Sequence, residues 1–73
     1  MTHLEMFKKL PHLNGNCEIV NDWGYTPSLY HFDTKWFVSW IHCEEGDSLL
    51  DCGGDTPEEA IEKAYAYIKT ISL

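Results

Sequence analysis

The side chains best equipped for chemistry in this sequence are three cysteines (Cys17, Cys43, Cys52) and four histidines (His3, His12, His31, His42). Zinc draws its ligands from closely spaced pairs, and no Cys-x-x-Cys pair occurs. His42 and Cys43 are neighbours on an extended segment, so they point to opposite faces and no more than one of them can join a cluster. A cysteine nucleophile needs a histidine beside it, and Cys43 or Cys52 with His31 or His42 supplies the residue types. No glycine elbow or other nucleophile motif surrounds either cysteine. Asp47, Asp51 and Asp55 miss the ligand spacing of a calcium loop. The expectation is therefore a protein without catalytic residues, cofactor or metal, whose thiols pack as small hydrophobes. An odd number of unpaired cysteines also argues against a disulfide framework and for a reducing compartment.

Carboxylates are the other chemical resource. Twelve Asp and Glu face five Lys and no Arg, for a formal charge of −7. Glu44, Glu45, Asp47, Asp51, Asp55, Glu58, Glu59 and Glu62 fall between Trp36 and Glu62, a stretch with no lysine. Nucleic-acid binding depends on Lys and Arg displacing counterions from phosphates, so direct binding to DNA or RNA is not expected. Attraction to an anionic membrane is not expected either, and no apolar run approaches the roughly 20 residues that span a bilayer. The first residues lack the basic-then-apolar pattern of a secretory signal, which makes the cytoplasm the expected compartment. The electrostatic complement of such a chain is a protein with a basic surface.

The elements that must position these groups form one domain over residues 1–73, without repeat, linker or low-complexity tract. The 73 residues include ten aromatics and 44% hydrophobic residues, enough for one compact core at a size where most large apolar side chains are needed. Thr56-Pro57-Glu58-Glu59 is a helix start with a capping residue, proline at the first helical position and Glu59 completing a capping box. Ala60, Ile61, Ala64, Tyr65, Ile68 and Ile71 follow helical spacing, which predicts a helix from about Pro57 to Thr70. Lys35 to Cys43 reads as a central strand with Trp36, Val38, Trp40 and His42 on one face and Phe37, Ser39, Ile41 and Cys43 on the other. Glu44 to Asp47 is a turn and Ser48 to Cys52 a return strand. Upstream, Leu4, Phe7 and Leu10 suit a short helix ended by Pro11, Asn14-Gly15-Asn16 a turn, and Cys17 to Val20 a strand. Asn21 to Ser28, with Gly24 and Pro27, reads as a loop displaying Trp23 and Tyr25 before a strand at Leu29 to Phe32. The predicted fold class is α+β: a three- or four-stranded antiparallel sheet, a short N-terminal helix and an amphipathic C-terminal helix.

The segment Trp36-Phe37-Val38-Ser39-Trp40, the hairpin after it, and Gly54-Asp55-Thr56-Pro57-Glu58-Glu59-Ala60-Ile61-Glu62-Lys63-Ala64 resemble small phage and prophage proteins of the phage ABA-sandwich type. Tyr25-Thr26-Pro27-Ser28 is similar to the Tyr-x-Pro-Ser-like stretch that precedes the aromatic strand in that family. The same helix start resembles the HicB antitoxins, whose sheet and helix neutralise a small basic toxin, although the Pro-Asp-Leu-Pro-Gly turn typical of them is missing. The resemblance implies an accessory protein that inhibits or adapts a host protein, or, on the HicB comparison, neutralises a basic toxin.

Aromatic anchors beside charge are typical of interface hot spots and electrostatic steering. The expected partner-binding surface is therefore Trp23 and Tyr25, with Tyr30 nearby, and the carboxylates Glu44, Glu45, Asp47, Glu58, Glu59 and Glu62. Homodimer formation would give so short a chain a way to bury spare apolar surface.

Overall fold

The structure is a computed structural model that describes residues 2–42 and 44–71. Cys43, expected to end the central strand and weighed as a ligand or nucleophile, lies outside the described residues. The chain is α+β, in the order α1 (His3–Lys8), β1 (His12–Leu13), β2 (Ile19–Val20), β3 (Tyr25–Phe32), β4 (Lys35–His42), β5 (Ser48–Gly54) and α2 (Pro57–Ile71). The strands form one sheet, β2-β1-β3-β4-β5, in which every neighbouring pair is antiparallel.

The two helices start where their capping side chains allow. Thr2 Oγ1 accepts from the Glu5 N–H at 3.1 Å, and Thr56 Oγ1 accepts from the Glu59 N–H at 3.1 Å, each satisfying a donor the helix itself leaves open. Both helices lie on one face of the sheet. The even positions of β4 point there: Val38 and Trp40 are fully buried with Leu10, Leu13, Ala60, Ile61 and Ala64, and Trp36 packs at their margin. A buried indole needs a partner for its N–H. Trp40 finds one in the Pro11 carbonyl, 2.8 Å away, which ties β4 to the chain just ahead of β1.

In β5 the alternation is broken on purpose. Ser39 pairs with Asp51 and Trp40 with Leu49, so Leu50 is an extra residue, a β-bulge with the left-handed φ of +53°. Strict alternation from Leu49 would turn Asp51 toward the helices. The bulge instead places both Leu49 and Cys52 against the core and leaves Asp51 exposed.

The sheet has five strands, one more than the three or four expected, and β3 starts earlier than expected. The two-residue β1 lies between β2 and β3, and the predicted strand from Cys17 shortens to Ile19–Val20 because Cys17 takes a left-handed φ of +61°. Tyr25 to Ser28, predicted as loop, are strand, and β3 runs unbroken through Pro27. The loop between β3 and β4 has only two residues, so the flanking pair Phe32 and Lys35 exchanges both backbone bonds. Counting back by twos, Ser28 and Tyr30 bond to β4, while Pro27, Leu29 and His31 turn their backbone groups away from it. The N–H that proline lacks would have pointed out of the ladder, so Pro27 costs the strand nothing.

The opposite face of the sheet carries Thr26, Ser28, Tyr30, Phe37, Ser39, Ile41 and Asp51 by the register, with no helix over it among the described residues. Ser39 is nonetheless completely buried, beneath Tyr30 and Asp51. Its hydroxyl donates to the Asp51 carboxylate and lies 3.2 Å from the Tyr30 hydroxyl, and the Tyr30 and Phe37 rings stack at 5.6 Å.

Candidate protein-binding surface

The register decides which candidate residues meet. β3 begins at Tyr25 opposite His42, the last residue of β4. Tyr25 therefore lies at the end of the sheet where the Glu44–Asp47 turn joins β4 to β5, and Trp23 precedes it by two residues. The turn is fixed by His42: its Nδ1 accepts from the backbone N–H of both Glu44 and Glu45 at 3.2 Å, which puts the ring proton on Nε2. Tyr25 packs edge-on against the same imidazole, ring centres 5.1 Å apart, the geometry favoured by aromatic quadrupoles. His42 thus couples the aromatic strand start to the acidic turn. Sequence reasoning weighed His42 only as a metal ligand or a base; the usable signal was its position directly before a turn.

Trp23 is 58% exposed in the Asn21–Gly24 crossing between β2 and β3, while Tyr25 is half-buried, so only the first is freely displayed. Glu44, Glu45 and Asp47 are exposed, and none of the ion pairs among the described residues involves them. A further carboxylate reaches this end unanticipated. The β1–β2 turn is closed by Asn14, whose Oδ1 accepts from the N–H groups of Asn16 (2.9 Å) and Glu18 (3.0 Å), and it holds Glu18 on the other side of Tyr25. A single acidic residue in a polar turn gave the sequence no signal for that.

Glu58, Glu59 and Glu62 are not part of this group. β5 runs its seven residues from the acidic turn to the start of α2, about 20 Å at the usual rise per residue. The carboxylates that are close in sequence are split between the two ends of the sheet. Three carboxylates near the helix start also have cationic or histidine neighbours: Lys63 lies 3.5 Å from Glu59, Lys35 3.0 Å from Asp55, and His3 Nε2 2.8 Å from Glu62. Tyr30 stands apart as well, on the uncovered sheet face.

Two titrating groups among the described residues are perturbed. Partial burial, with the neighbouring Asp51 charge adding to it and Lys63 opposing it, pushes the Cys52 thiol up. The Tyr67 hydroxyl is also raised, first by desolvation and then by the Cys17 thiol and Cys52. Neither sits in a cavity; no pocket forms among the described residues, and no group of three or more His, Cys, Asp or Glu gathers there as metal ligands would. No helix among them is long and apolar enough to cross a membrane.

Fold and site together define an α+β protein with both helices on one sheet face and an acidic, aromatic-bearing end. No protein family, curated protein or solved structure matches this chain.

Proposed function

We propose that this chain is a non-enzymatic protein-binding module of the phage accessory kind, which inhibits or adapts a host protein with a basic surface by docking it on the Trp23 end of the sheet. One observation supports the reading above all: Tyr25, two residues after the exposed Trp23, pairs with His42, two residues before the exposed Glu44, and Glu45 and Asp47 follow in the same turn. An exposed indole offers a large apolar anchor at small entropic cost, and carboxylates around it steer a cationic surface into place. Glu58, Glu59 and Glu62 contribute long-range potential from the far end and no direct contact.

The test is affinity capture across a salt series with three forms of the protein. A partner held by the wild type should be lost on Trp23→Ala and on combined Glu44→Lys, Glu45→Lys and Asp47→Lys, and should weaken steeply as salt rises. Combined reversal of Glu58, Glu59 and Glu62 should slow association with little change in lifetime. Capture that ignores the turn reversal and the salt would refute the reading.

A further inference from the structure

The sheet has two long edges, and they are defended unequally. An unpaired edge presents backbone donors and acceptors that another chain can use, and proteins blunt such edges with bulges, charges or covering groups. The β5 edge has all three: the Leu50 bulge, the exposed Asp51, and Lys63, whose Nζ donates to the Gly53 carbonyl at 2.7 Å. The β3 edge has none of them beyond its first residues. β1 pairs only at Tyr25, so from Ser28 to Phe32 no strand lies alongside among the described residues. Leu29 and His31 turn their N–H and C=O groups outward there, and Leu29, Tyr30, His31 and Phe32 are all exposed, Phe32 by 69%.

We propose that this edge is a self-association surface, on which β3 pairs antiparallel with β3 of a second copy about a two-fold axis at Tyr30. In that register Leu29 and His31 of each copy exchange both backbone bonds with His31 and Leu29 of the other, four bonds in all. Tyr30 meets Tyr30 and Phe32 meets Ser28 on the uncovered face, while Leu29 meets His31 on the helix side. Charge favours a second copy over a basic partner at this place. Tyr25–Phe32 contains no Asp, Glu or Lys, so two chains of charge −7 can join along it without opposing like charges, and a cationic ligand finds no carboxylate on the strand. Asp33, the first acidic residue beyond it, comes opposite Pro27 and not opposite its own copy.

This interface is independent of the acidic end, and it predicts a dimer insensitive to salt. The wild type should sediment as a concentration-dependent dimer. Leu29→Pro removes an outward N–H from each copy without touching the β3–β4 ladder, and should weaken the dimer roughly thirtyfold through two lost hydrogen bonds. Tyr30→Lys should weaken it at least tenfold by placing like charges across the axis. Circular dichroism should show both variants folded. Tyr30→Cys should crosslink on mild oxidation beyond the wild-type background, and Ser28→Cys should not, because only the axial residue faces itself at disulfide distance. A wild type monomeric at hundreds of micromolar, or folded variants that dimerise with unchanged affinity, would overturn the proposal.

Discussion

Gly24 is where the crossing from β2 to β3 presses on β1, and its replacement tests the packing that positions Trp23 and Tyr25. Its φ is +84°, and a Cβ built there runs into the Leu13 carbonyl oxygen, with the carbonyl carbon at 3.3 Å. Gly46 in the acidic turn has a comparable φ of +75° but nothing within 4 Å of its Cβ position, and Gly15 is open and free of the left-handed constraint. The three alanine variants therefore separate the two contributions. Gly46→Ala carries only the left-handed penalty, about 1 kcal/mol once the stiffer unfolded chain is counted. Gly24→Ala adds overlap with the backbone of Leu13, which is fully buried and paired with Tyr25 and so cannot yield without loosening β1. Overpacking of that kind costs about 1–3 kcal/mol, giving about 2–4 in total. Gly15→Ala should be neutral or stabilising by less than about 1 kcal/mol. Urea unfolding followed by tryptophan fluorescence reads all three. With a slope near 1 kcal/mol/M for so small a chain, the midpoints should fall by about 2–4 M, about 1 M and nearly zero. Equal midpoints for Gly24→Ala and Gly46→Ala would show that the crossing is not pressed against Leu13.

Trp40→Phe should cost about 1–3 kcal/mol, because it keeps most of the ring volume but leaves the Pro11 carbonyl without its 2.8 Å donor; a loss below about 0.5 kcal/mol in urea unfolding would show that bond to be idle. Thr56→Ala should cost about 1 kcal/mol through the lost cap of α2, with Thr56→Ser restoring most of it in thermal melts. Cys52, with its thiol raised above the ordinary 9.0, should react slowly with iodoacetamide at pH 8, and Asp51→Asn should speed the reaction by removing one cause of the shift. The folded chain holds that proton more tightly than the unfolded one, so the contribution is intact below pH 9.0 and is lost as pH rises through the higher folded value. The stability difference between wild type and Cys52→Ser should accordingly drift against the wild type only in alkaline urea titrations.

What the sequence made legible was everything decided locally. Helix α2 runs Pro57–Ile71 against the expected Pro57 to Thr70, with Thr56 as its cap, and the alternation in β4 sorts its side chains as the pattern requires. What stayed hidden depended on neighbours. Gly24 lies in the crossing as its loop signal implied, but Pro27 read as loop because a proline's effect on a strand turns on which way its missing N–H would point, and only the two-residue turn at Asp33-Thr34 sets that phase. The two residues of β1 carry too little pattern to register as a strand; Trp40 reaching the Pro11 carbonyl holds the chain in place just before them. The Leu50 bulge was invisible for a similar reason, since the residues alone do not say that Asp51 must be turned outward between two core positions.

The same distinction governs the candidate site. Between Trp36 and Glu62 the sequence shows one unbroken acidic stretch, and potential at long range does sum over all of it. Contact does not, because a strand converts seven residues of sequence into about 20 Å of distance and delivers the two acidic groups to opposite ends of one sheet. Antiparallel pairing then works in the other direction, joining residues far apart in sequence: Tyr25 to His42 ahead of the Glu44–Asp47 turn, and Leu13 ahead of the Glu18 turn to Tyr25. On the proposed reading, a partner that docks at the end where Tyr25 meets His42 should depend on the turn carboxylates for its contacts and on the helix-start carboxylates only for its approach.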